Sequence, residues 1–301
     1  MKEESPKAII YALAANFGIA ICKFAAAAFT GSGSMFAEAI HSSADCGNQL
    51  LLLFGLRQAR KPASLLHPMG GGRAIYFYSL LVALLLFFVG GAFSVYEGVH
   101  RLIVHEPLQY AYVALVVLGI SVVLEALSLW GAIKEIRKTN PDKSLWRWFR
   151  ETRESELLVV AGEDIAALAG LAIAFVAVLL TMITGNAVYD ALGSVAVGLL
   201  LMVIAWAVAR EVKSMIVGES ASPEVRRAIE AHLRARREIR SIINIITMQW
   251  GRQVVVAVQA EMIDYPSGRA MVDAINVIEA DLQAAFPQVR WVFFEPDVPR
   301  G

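Results

Sequence analysis

Apolar and polar positions sort along this chain on a long scale. Six mostly apolar runs of roughly 20 residues or more fall near 8–30, 36–56, 74–96, 109–133, 156–184 and 188–210. Each is long enough to cross a hydrocarbon core as a helix. After residue 210 the texture becomes an ordinary soluble mixture. There "SPEVRRAIEAHLRARREI" places Ser222 as an N-cap and Pro223 in first helical position, followed by helical periodicity. "INIITMQWGRQVVVAVQAEM" reads as two strands joined by a turn at Trp250-Gly251. "SGRAMVDAINVIEADLQAAF" is an amphipathic helix with Ser267 as its cap, and "QVRWVFFEP" is a last, edge-like strand suited to self-association.

The predicted fold is an α-helical membrane protein. Residues 1–210 form a six-helix transmembrane domain, and residues 211–301 a small cytoplasmic α+β domain of order α-β-β-α-β, ferredoxin-like, with its helices on one face of the sheet. The first run is expected to remain as a span, since no small-residue cleavage site follows a short apolar core.

Composition agrees with this division. Hydrophobic residues make up 57% of the 301 and charged residues 18%, against about half and a quarter in a soluble domain. The formal net charge is zero, which gives no reason to expect a nucleic-acid partner. Cys22 and Cys46 both lie in apolar runs and read as reduced core residues, with no disulfide framework. If the N-terminus is cytoplasmic, the inner segments carry thirteen basic residues and the outer ones only Arg101. The positive-inside rule then puts both termini in the cytoplasm. Compact loops and a short chain point to a prokaryotic inner membrane.

Some polar residues do not belong in spans. In "AEAIHSSADCGNQLLLLFGL", His41, Asp45 and Asn48 are spaced by four and three, so a helix puts them on one face. An ionisable group there costs about 2.5–3.5 kcal/mol on insertion scales unless paired, hydrated or metal-bound. Imidazole with carboxylate suits a divalent transition metal, Zn²⁺ first, then Co²⁺, Fe²⁺ or Mn²⁺. The fifth run adds Glu163 and Asp164. Neighbours on a helix point about 100° apart, so one of the two can face His41 and Asp45 while the other faces elsewhere. The expected site is His41, Asp45 and Asp164, with Glu163, Asn48 or water as the fourth ligand.

Blander readings compete. His41 could hydrogen-bond within a helix interface, and Lys23, the basic residue inside the first run, could neutralise one carboxylate. It cannot neutralise Asp45, Glu163 and Asp164 together. Glu125, deep in the fourth run, is a candidate partner of Lys23 or a proton carrier. Asp190 reads as the N-cap of the sixth run.

The chain resembles the cation diffusion facilitators, proton-coupled exporters of zinc and manganese, over nearly its whole length. The residues carrying the likeness are "HSSADCGNQLLLLFGL", the loop "HPMGGGRAIY", "DALGSVAVGLLL" at 190–201, and Asn16 and Lys23 in the first span. The resemblance implies cytoplasmic termini, a homodimer paired through the tail, and exchange of metal for protons with no cofactor. It also implies a charge interlock at Arg73, with Glu211 or Glu219 as partner. The departures are informative. Val160 stands where the family's fifth span often has a first ligand, and "GED" follows. That resembles the subgroup with Glu-Asp there, which includes the mitochondrial-type zinc transporters of animals. Replacing a His by carboxylate hardens the site, which raises Mn²⁺, Fe²⁺ and Co²⁺ as alternatives. His67 keeps company with Ser64 and Gly71, so no strong second site is expected in that loop. A non-transporting membrane scaffold with a dimerising tail is the reading from another class.

Overall fold

The structure is a computed structural model that describes residues 6–104, 110–139 and 155–298, with positions 144, 149 and 152. The helices are α1 (Pro6–Thr30), α2 (Gly33–Ala59), α3 (Ala74–Leu85), α4 (Phe93–Val104), α5 (Ala111–Thr139), α6 (Ser155–Thr184) and α7 (Val188–Val217). A π-helical segment, Leu86–Ala92, joins α3 to α4 without a break, so Ala74–Val104 is one continuous span.

Among the described residues four helices are long and apolar enough to cross a membrane: Ala74–Val104, Ala111–Gly131, Leu158–Thr184 and Val188–Val217. The expectation of six is met by apolarity only in part. In α1 the apolar stretch is Phe17–Thr30. α2 is 27 residues long, about 40 Å, but it carries Glu38, His41, Asp45 and Asn48, all buried.

The bundle closes on small and branched residues, among them Ala26, Met35, Leu86, Leu118, Leu171, Val178, Val197 and Leu201. One end is held by Asp190. It lies in the first turn of α7, but its carboxylate does not cap that helix. It accepts from Gly33 N (2.6 Å), Ser34 N (3.3 Å) and Ser32 Oγ (2.8 Å), so it caps α2. The start of α7 is capped instead by Asn186 Oδ1, which accepts from Val188 N at 3.0 Å. The N-terminal amides of a helix are unpaired donors and favour a negative charge. Asp190→Ala is therefore expected to cost about 2 kcal/mol, measured by thermal unfolding in detergent. An unchanged midpoint would remove this clamp.

A second compact unit runs from Lys213 onward and takes in Arg57–Tyr76. It contains α8 (Pro223–Arg234), β1 (Ile239–Trp250), β2 (Gln253–Met262), α9 (Gly268–Ala285) and β3 (Val289–Pro296). The expected caps are in place: Ser222 accepts from Val225 N and Ser267 from Ala270 N. β1 and β2 pair antiparallel, β3 lies parallel to β2 at the sheet edge, and the strand order is β1-β2-β3. Alternate residues of β2, namely Val254, Val256, Val258 and Ala260, meet Ile229, Leu233, Ile275, Ile278 and Leu282 in the core. The loop joins this unit through its last residues. Tyr76 hydroxyl accepts from Gly251 N at 2.9 Å, and the Arg73 guanidinium lies 5.0 Å over the Trp250 ring. Gly251 has φ +63°, and a Cβ there would meet the Gly72 carbonyl oxygen at 2.4 Å, so only glycine suits that turn. Arg73 donates to the carbonyls of Met215 and Ile216, where Glu211 or Glu219 was the expected partner.

Candidate metal site

On α2 the spacing of four and three puts His41, Asp45 and Asn48 in the bundle interior, and all three are buried. Small neighbours, Ala37, Ser42 and Ala44, also buried, let other helices close over that face. Across from it, Glu163 of α6 is buried while Asp164, next along, is half-buried. Asn48 Nδ2 donates to Glu163 Oε1 at 3.2 Å, and the Glu163 carboxylate also meets that of Asp45. His41 Nδ1 stands 3.5 Å from Asp45 Oδ1, and no hydrogen bond joins them. The wall beside His41 belongs to the π-helical segment, where a Cβ on Gly90 would sit 3.9 Å from His41 Nδ1. π-turns within α-helices recur at functional sites.

Both ring nitrogens of His41, Asp45 Oδ1 and Asn48 Oδ1 are buried without a hydrogen-bond partner. Each such group costs about 1–3 kcal/mol when left unpaired, so this face of α2 has donor atoms to offer a further partner. The donors are an imidazole, two carboxylates and an amide oxygen, a set that suits a divalent transition metal. Among the described residues, no three His, Cys, Asp or Glu side chains converge tightly enough to form a ready-made metal cage. The structure therefore brings Asp45, Asn48 and Glu163 together, sets His41 beside them, and puts Asp164 one position round the helix.

A residue not singled out from the sequence completes the picture. Lys23 Nζ lies 3.3 Å from Glu38 Oε2, so Glu38, not Glu125, is its close partner. Glu38 lies one turn before His41 on a buried face, and that position in an apolar run was the available signal.

A helical membrane protein with unpartnered ligand groups in its bundle is the class that the geometry defines. The cation efflux transmembrane domain model matches residues 9–217. The chain belongs to that family, the cation diffusion facilitators. It is 33% identical over 247 residues, 81% of its length and 44% of the relative's, to a protein of Xenopus laevis named proton-coupled zinc antiporter SLC30A9, mitochondrial. The Homo sapiens protein of that name is 36% identical over 221 residues, covering 72% of this chain and 39% of the relative. Metal tolerance protein C4 of Arabidopsis thaliana is 33% identical over 224 residues, covering 72% and 48%. The chain thus spans less than half the length of these relatives. Their names correct one expectation. Relatives in frog and human named as mitochondrial overturn a placement in a prokaryotic inner membrane, and what stands is a membrane protein.

Proposed function

We propose that this chain carries a divalent transition metal, Zn²⁺ first, across a membrane in exchange for protons. The metal would bind among His41, Asp45, Asn48, Glu163 and Asp164, between α2 and α6. The observation that carries this reading is the set of buried donors without partners around Asp45 and Glu163. Family membership and the relatives' names, zinc antiporter and metal tolerance protein, support it. Mn²⁺, Fe²⁺ and Co²⁺ are the alternatives that the oxygen-rich set allows. The bundle crosses the membrane six times in this reading, with α1 and α2 added to the four apolar spans, and the second unit pairs two copies, β3 offering a sheet edge.

Metal and protons compete for the same groups. A ligating imidazole must be neutral and a ligating carboxylate ionised, so binding metal releases protons and acid releases metal. Affinity is therefore expected to fall as pH falls.

The test is metal flux in proteoliposomes under a pH gradient, with Zn²⁺, Mn²⁺, Fe²⁺ and Co²⁺ compared. Flux of one metal that follows the gradient is the expected result. Asp164→Asn keeps the shape and removes the charge, and it is expected to abolish flux while the protein stays folded. Unchanged flux in that variant would strike Asp164 from the ligand set and leave Glu163 as the contribution of α6. No flux of any metal would return the chain to the scaffold reading.

A further inference from the structure

The bundle buries a second polar group that the metal cluster does not use. Lys23 on α1 is 1% exposed and Glu38 on α2 is 0% exposed. Nζ of Lys23 lies 3.3 Å from Glu38 Oε2 and donates to Ser42 Oγ at 2.7 Å. The other carboxylate oxygen, Glu38 Oε1, is buried without a partner. It stands against Gly170 of α6, where a Cβ would lie 2.8 Å away, so only glycine leaves the carboxyl group its place. The charged groups acting on Glu38 are Lys23 from α1 and Glu125 from α5. On α2 itself His41 and Asp45 follow one and two turns along, and on α6 Glu163 and Asp164 lie about two turns from Gly170.

As glue between two helices this pair is a poor choice. Taking two charges out of water offsets most of their attraction, and an apolar pair of similar volume often holds as well. Leaving one carboxylate oxygen unpaired makes it poorer still. The orphan oxygen does suit a proton. An O–H bond forms at Oε1 with a proton delivered by hydronium, whose O–H bond breaks to leave water, while Oε2 keeps its contact with Lys23. The ionised pair is neutral. The protonated pair carries the full charge of Lys23.

Geometry makes that charge matter. Asp45 and Asn48 meet Glu163, and Glu38 meets Gly170. Moving two turns back along α2 thus moves two turns forward along α6, so the helices run antiparallel. The two levels are about 10 Å apart. Inside an apolar bundle, a positive charge at that distance opposes a divalent cation strongly. Metal on one level and a proton on the other then exclude each other, as exchange requires.

We infer that Glu38, held by Lys23, is a dedicated proton-binding group that couples proton uptake to metal release without touching the metal. The inference rests on the transport reading and adds a proton site outside the ligand cluster.

Calorimetric binding of Zn²⁺ to the purified full chain, in two buffers of different ionisation enthalpy, counts the protons released per metal. Glu38→Gln leaves the charge of Lys23 unbalanced, as the protonated pair does, so it is expected to bind Zn²⁺ more weakly than the wild type at alkaline pH and to release about one proton fewer. On acidification by one pH unit, the wild type is expected to lose about tenfold more affinity than this variant. A wild-type proton count in Glu38→Gln overturns the proposal and makes the pair structural. The double variant Lys23→Met with Glu38→Met leaves no buried charge at this level, so it guards against a fold that Glu38→Gln alone cannot sustain. It too is expected to release about one proton fewer, and an unchanged count in it overturns the proposal as well. Failure of the two readings is distinguishable. Wild-type Zn²⁺ binding that is lost in Asp45→Ala keeps the metal site whatever Glu38 does, whereas no binding by the wild type removes both.

Discussion

Asp45→Asn and Glu163→Gln, each made alone and reconstituted into liposomes, are expected to lower Zn²⁺ flux at least about a hundredfold. The two carboxylates meet across α2 and α6, and both are buried. When both are ionised they repel one another unless a cation lies between them. On the proposed function a divalent ion would remove that repulsion and satisfy the orphan oxygen of Asp45. An amide in place of either carboxylate removes one compensating negative charge and would leave a bound metal underpaired in an apolar bundle. The fold should not suffer, because each amide is isosteric and removes one of two facing negative charges. Thermal unfolding in detergent is expected to show an unchanged or raised midpoint. The double variant should be scarcely worse than either single, since the pair acts as a unit. Flux within about twofold of wild type in either variant would take the metal away from this pair and leave Asp164 as the carboxylate of α6 to test.

How much of this was legible in the chain depends on the distance over which each signal acts. The C-terminal unit was readable because its cues are local: Ser222 with Pro223, Ser267, and alternation along Val254–Ala260 all lie within a few residues of what they determine. The α2 face was readable for the same reason, since spacings of four and three fix a helical stripe. Three features were not. Asp190 was expected to cap its own helix, but the amides it serves are 157 residues away at Gly33. Lys23 had several carboxylates to choose from, and the close approach of α1 to α2 picked Glu38 over Glu125. The choice between Glu163 and Asp164 turns on about 100° of rotation of α6, which periodicity does not fix and packing does. For the loop 57–76 the sequence offered a likeness in "HPMGGGRAIY" and a charged partner for Arg73, but no link to the C-terminal strands. The loop joins the second unit because Tyr76, Arg73 and Gly72 meet the Trp250-Gly251 turn.

Gly198→Ala is expected to destabilise the bundle by about 3 kcal/mol, near the upper end of ordinary overpacking, and Gly198→Leu to prevent it from assembling. The span Ala74–Val104 approaches α7 so closely that backbone touches backbone. A Cβ on Gly198 would lie 2.6 Å from the Gly91 carbonyl oxygen and 2.7 Å from Val95 N. Gly98 repeats the contact two turns on, where a Cβ would meet the Ala191 carbonyl at 2.8 Å. Between them Ser194 Oγ donates to the Ser94 carbonyl at 3.0 Å. In a membrane, where burial of apolar surface gives helices no reason to associate, such close contacts and hydrogen bonds hold the helices together. Backbone cannot move aside as a flexible side chain can, so even one methyl group must separate the helices. Gly47 supplies the control within the same bundle. A Cβ there meets nothing within 4 Å, so Gly47→Ala should gain up to about 1 kcal/mol of helix propensity and lose nothing. Function should follow stability in Gly198→Ala, because Gly90, next to Gly91 in the π-helical segment, is the wall beside His41. Equal unfolding midpoints for Gly198→Ala and wild type would mean that these two spans do not approach so closely, and the wall beside His41 would have to be drawn elsewhere.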